Sequence, residues 1–95
     1  MTSPLDELRA EYRRELPAKL AKLNALWSAR QLPELHRALH TLAGSAGTFG
    51  LPELSVAARE AENYLEACGP ALDARQQAGF QQLFDGICRC SIGAP

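Results

Sequence analysis

The chain has 95 residues, with ten Lys and Arg, eleven Asp and Glu and a net charge of -1, so it lacks the clustered positive field that nucleic-acid or anionic-membrane partners require. Sixteen Ala and 15 Leu stand against six Val, Ile and Thr together, a balance that disfavours sheet and predicts an all-α fold. No apolar run approaches the roughly 20 residues needed to span a bilayer, and no charged start followed by an apolar block reads as a signal peptide. These features predict a cytoplasmic protein without a membrane partner. At this length one hydrophobic core is expected, hence a single domain over 1–95. Cys68, Cys88 and Cys90 are odd in number and lack the spacing of a disulfide framework, so reduced thiols are expected.

Proline punctuates the chain at helix-length intervals. Pro4, Pro17, Pro33, Pro52 and Pro70 are each candidate helix starts, because proline suits the first turn, and Ser3 adds an N-cap before Pro4. In the first segment Leu5, Leu8, Tyr12, Leu16, Leu20, Leu23 and Trp27 form one stripe that continues in phase through Pro17. A helix kinked or broken near Pro17 is therefore expected. The second helix opens at Pro33, turns Leu35, Ala38, Leu39, Leu42, Ala46 and Phe49 inward, and closes at Gly50. The third opens at Pro52, with Leu54, Ala57, Ala58, Ala61, Leu65 and Cys68 inward, and stops at Gly69 and Pro70. A fourth, from about Leu72 to Cys90, should bury Phe80, Leu83, Phe84 and Ile87, leaving 91–95 as a flexible tail. Four amphipathic segments with short connections predict an antiparallel, up-and-down four-helix bundle. The six aromatic residues fall mostly in phase with the Leu stripes and are expected in the core. Glu53, Arg59, Glu60 and Glu62 read as a solvated face, with Glu66 on the same side as Glu62.

The second helix carries the unusual chemistry. With Leu35 as reference and about 100° per residue, Leu39, Leu42, Ala46 and Phe49 fall within about 40° of it, whereas His40 lies near 140° and Gly44 near 180°. His40 therefore points outward beside residues with little or no side chain. Each helical glycine costs about 1 kcal/mol relative to Ala, so Gly44 and Gly47 need a reason. One is close packing of a neighbouring helix; the other, favoured for Gly44 by its place on the polar side, is close approach of a partner to His40.

The run HTLAGSAGTFG over residues 40–50, followed by LPELSVAAREAE, resembles the histidine-containing phosphotransfer (HPt) domain of bacterial two-component phosphorelays, in which a phosphorylatable His precedes a glycine-rich stretch within a four-helix bundle. The resemblance implies that His40 accepts a phosphoryl group from an aspartyl phosphate on a response-regulator receiver domain and passes it to another. That receiver could belong to a hybrid histidine kinase or to the same full-length polypeptide. His36, Arg37, Thr41, Ala43, Gly44, Gly47 and Thr48 are the expected docking surface, on a chain expected to be monomeric. No cofactor is expected on this chain, because the family's scheme puts the Mg ion and a lysine on the receiver. Many members carry Lys three residues after the His; here that position is Ala43, and Arg37, one turn before His40, is the candidate substitute.

The sequence has no P-loop, and its glycine-rich run lies in or at the end of a helix rather than after a strand, so neither a kinase nor a dinucleotide site is expected. Two other uses of the same face stay open. One is a non-phosphorylated adaptor that docks a receiver. The other is metal binding through His36 and His40, which are four residues apart, although no acidic or Cys residue nearby in the sequence completes a ligand set.

Overall fold

Ser3 Oγ accepts the Asp6 amide hydrogen at 3.1 Å and the Asp6 carboxylate accepts from the Ser3 amide at 3.4 Å, a reciprocal capping box that, with Pro4 in the first turn, fixes the start of helix α1 (Pro4–Ser28). The computed structural model describes residues 3–92, with the backbone alone at 91 and 92. Helices α2 (Leu32–Thr48), α3 (Pro52–Cys68) and α4 (Ala74–Ile92) follow, and no strand occurs among the described residues. The expected four-helix, all-α architecture is present. Consecutive helices are neighbours and run antiparallel: Tyr12 and Phe49 stack at 4.8 Å between α1 and α2, His36 and Glu66 meet between α2 and α3, and Trp27 of α1 reaches Phe80 and Gln81 of α4.

Helix α1 runs through Pro17 as one unbroken element. Pro17 and Arg13, whose carbonyl would otherwise accept from residue 17, are both exposed, so water can take the freed carbonyl and the missing bond leaves no buried orphan. Leu16, Leu23 and Trp27 are buried as expected, but Leu5 and Leu8 are 47% and 50% exposed. At 1.5 Å per residue α1 is about 37 Å long and α2 about 25 Å. Tyr12 already packs on Phe49 at the end of α2, so the two turns before it have no helix alongside.

Pro70 does not start α4. It lies in the connection, and the cap is Asp73, whose carboxylate accepts from the Gln76 amide at 2.8 Å while the Gln76 side chain accepts from the Asp73 amide at 3.0 Å. Helix α4 continues to Ile92, so residues 91 and 92 of the expected tail are helical; 93–95 lie outside the described residues.

Leu35, Leu39, Leu54, Phe80 and Ile87 are the largest fully buried side chains, each contributing on the order of 1.5–3 kcal/mol by burial. Leu83 is only half-buried. Four aromatic residues are in the core and Phe49 and Tyr64 pack against it. The ends of α1 and α2 use the same device: the Gln31 amide bonds Leu26 O at 2.9 Å and the Leu51 amide bonds Ala46 O at 2.8 Å, each across a residue of positive φ, Arg30 (54°) and Gly50 (79°). Gly50 suits that conformation directly. Arg30 is held in it by stacking on Trp27 at 3.7 Å and by hydrogen bonds to Trp27 O and to Gln77.

Candidate functional site

His40 projects from the middle of α2 with its side chain 71% exposed, and its Nδ1 lies 2.7 Å from Glu62 Oε2 of α3. Ionised, a carboxylate can only accept, so in the neutral imidazole the proton is on Nδ1 and Nε2 keeps its lone pair. The Glu62 side chain is only 8% exposed; a buried carboxylate needs such a donor, and the bond in turn fixes the imidazole ring. One turn earlier on α2, His36 is half-buried, with Nε2 2.8 Å from Glu66 Oε1 and 3.8 Å from Glu62 Oε2.

These contacts follow one antiparallel register. Residue 36 faces 66 and residue 40 faces 62; one residue before the end of α2, Gly47 faces Ser55. The spacing of four within each helix stacks both pairs on one seam. Glu62 was expected on a solvated face. It is buried instead, because α3 turns this edge of its apolar stripe toward α2.

The two glycines have different roles. A Cβ at Gly44 would meet nothing within 4 Å, whereas one at Gly47 would lie 3.3 Å from Ser55 Oγ. Ser55 cannot yield cheaply, since its hydroxyl donates to Ala43 O at 2.7 Å. Gly47 therefore serves the packing of α3 on α2 while its backbone stays exposed, and Gly44 leaves open space beside His40.

Ala43 is also a correction. It is 1% exposed, because α3 covers that flank of α2 and widens the buried arc, so its side chain cannot touch a partner. Arg37 is 75% exposed and pairs with Glu34 at 3.6 Å; with Lys22 and Thr41 it borders a hollow on the α1 side of α2. Lys19, Lys22, Thr41 and Ser45 line a second hollow of about 200 Å³ between α1 and α2. Thr48 is exposed and donates to Gly44 O at 3.1 Å. The exposed surface around His40 thus includes Gly44, Gly47, Thr41, Thr48 and Arg37 on α2, flanked by lysines of α1 on one side and by the Glu62 and Glu66 carboxylates of α3 on the other.

Glu62 and Glu66 are the site residues that sequence reasoning missed. Both carboxylates come from a different helix, which also answers the earlier lack of an acidic companion for the histidines. Among the described residues, His36, Glu62 and Glu66 bring one ligand atom each within 4.8 Å of one another. No described helix is long and apolar enough to cross a membrane, and the three cysteines form no disulfide.

No curated protein and no solved structure matches the chain. A family model, described as Hpt domain, matches residues 7–89, a span that holds His40, Gly44, Glu62 and the greater part of the four helices. The chain belongs to the Hpt domain family, whose members carry out phosphotransfer in two-component signalling with the receiver domains of response regulators.

Proposed function

We propose that this protein is a phosphorelay intermediate and that His40 Nε2 is its phosphoacceptor. The observation that carries this reading is the 2.7 Å contact of Nδ1 with Glu62 on an otherwise exposed ring. In the proposed step the Nε2 lone pair attacks the phosphorus of an aspartyl phosphate on a receiver domain, the N–P bond forms, and the bond from phosphorus to the acyl oxygen breaks. The aspartate leaves as a carboxylate. No proton has to leave Nε2, because the proton of this tautomer is on Nδ1. The ring becomes a phosphoimidazolium, and the buried Glu62 carboxylate lies against the nitrogen that carries its proton. Reversal of the step onto a second aspartate passes the group on.

Little else is required of this chain. The receiver would supply the metal ion and lysine that neutralise the phosphoryl oxygens, while this chain contributes an oriented nucleophile and clearance for the incoming loop. That clearance is Gly44. The exposed α2 face, with Arg37, Thr41 and Thr48, is the proposed docking surface. The chain would act as a cytoplasmic monomer of one domain, without kinase activity of its own.

The test is incubation with a panel of phosphorylated receivers, followed by measurement of acid-labile phosphate on this chain. One phosphoryl group per chain is expected, and none on His40→Gln. Equal labelling of His40→Gln would overturn the assignment, and receiver binding without labelling of the wild type would show a docking adaptor instead.

A further inference from the structure

We infer that His36, Glu62 and Glu66 form a binding site for a divalent transition-metal ion of the zinc type, at the α2–α3 seam and separate from the nucleophilic nitrogen of His40. The donors are one imidazole nitrogen and two carboxylates, a mixture that suits Zn²⁺ and its neighbours better than Mg²⁺ or Ca²⁺, which prefer oxygen alone. Zn–N and Zn–O bonds of about 2.0–2.1 Å in a tetrahedron place ligand atoms about 3.3 Å apart. His36 Nε2 is 2.8 Å from Glu66 Oε1 and 3.8 Å from Glu62 Oε2, values on either side of that edge, and all three atoms lie within 4.8 Å of one another. Side-chain rotations of a few tenths of an ångström to about one ångström bring them to a common centre, with water as the fourth ligand.

Two further features favour binding. Glu62 is held in advance, because its side chain is 8% exposed and accepts from His40 Nδ1 at 2.7 Å. His40 is then the hydrogen-bond partner that orients a ligating carboxylate and remains outside the donor set. His36 and Glu66 are accessible, at 32% and 57% exposure, so an ion has a path to the site. On binding, His36 gives Nε2 to the metal and carries its proton on Nδ1, and the His36–Glu66 hydrogen bond is replaced by two metal bonds.

The test uses the full chain and ZnCl₂ in a calorimetric titration, with imidazole signals followed by NMR. One Zn²⁺ per chain is expected, with a dissociation constant in the micromolar range and displacement of the His36 ring resonances. Affinity should fall at least about tenfold in His36→Ala and in Glu66→Gln. Both substitutions are at exposed or half-exposed side chains and are checked for fold by their amide spectra; Glu62 is left intact because it is buried. Absence of saturable binding, or wild-type affinity in both variants, would overturn the site. The titration involves no phosphoryl donor, so its outcome is independent of whether His40 is phosphorylated.

Discussion

At the scale of single residues, the Glu62 carboxylate does the most with the least. It selects the tautomer of His40, fixes its ring and is itself satisfied by that bond. Glu62→Ala should slow phosphoryl uptake by about ten- to a hundredfold, the cost typical of removing a hydrogen-bond partner that orients a metal-bound histidine. Glu62→Gln should restore part of the rate, because its amide oxygen still accepts from Nδ1 although the charge is gone; equal rates for the two variants in a single-turnover assay would refute an orienting role. Gly44 makes the complementary case. With nothing within 4 Å of a Cβ there, Gly44→Ala should gain about 1 kcal/mol of helix propensity and raise Tm by about 4–8 °C. Gly44→Leu should keep the fold yet slow transfer from a receiver, a combination that a packing role could not give. Ala43 behaves in the opposite way, since a lysine there would start from a buried Cβ and must carry its charge outward along α3.

Between elements, the fastenings are few and specific. Tyr12 joins α1 to α2 by a 2.6 Å hydrogen bond to Ser45 and a stacked contact with Phe49, and Trp27 joins α1 to α4 by a 2.7 Å bond to Gln81. The α4 cap offers a direct test of the corrected helix start: Asp73→Ala should cost about 1 kcal/mol in chemical denaturation, while Pro70→Ala should stay within about 0.5 kcal/mol. Where the sequence was legible, the reason is local. Ser3–Pro4, Pro33, Gly50 and Gly69 are punctuation that acts within a few residues, and the period of Leu35, Leu39 and Leu42 marks a buried face from one helix alone. Glu62 was illegible for the converse reason. Its burial is set by the register between α2 and α3, which no single helical period contains, and Ala43 was placed at the surface because a one-helix projection cannot show a second helix covering its flank.

For the molecule as a whole, weak acids in and beside the core, Tyr12 and Cys88 among them, make stability depend on alkaline pH. Burial pushes the Tyr12 hydroxyl above its ordinary 10.0 despite the Ser45 bond, and burial with the nearby Asp85 pushes the Cys88 thiol above 9.0. Both groups stay neutral longer in the folded chain than in the unfolded one. Their contribution is thus complete below about pH 9, and is lost as pH rises through the raised native values, where the unfolded state has already released its protons. The urea midpoint should be flat from pH 7 to about 8.5 and fall above about 9, with a shallower fall in Tyr12→Phe. A midpoint that rose with pH across this range would contradict the burial of both groups.

The unaccompanied start of α1 sets a gradient of local opening along a single helix. Before Tyr12 no described residue is buried, and a helix of two or three turns is marginal in water without tertiary support. Those turns persist because they are continuous with a packed stretch and are capped at Ser3. Unzipping from the cap breaks hydrogen bonds one after another without exposing the core, whereas opening at Leu23 or Trp27 requires α1 to leave the bundle. Amide deuteration should therefore climb by degrees from Trp27 toward Glu7, so that one rod reports both the cheapest and the dearest motions of the molecule.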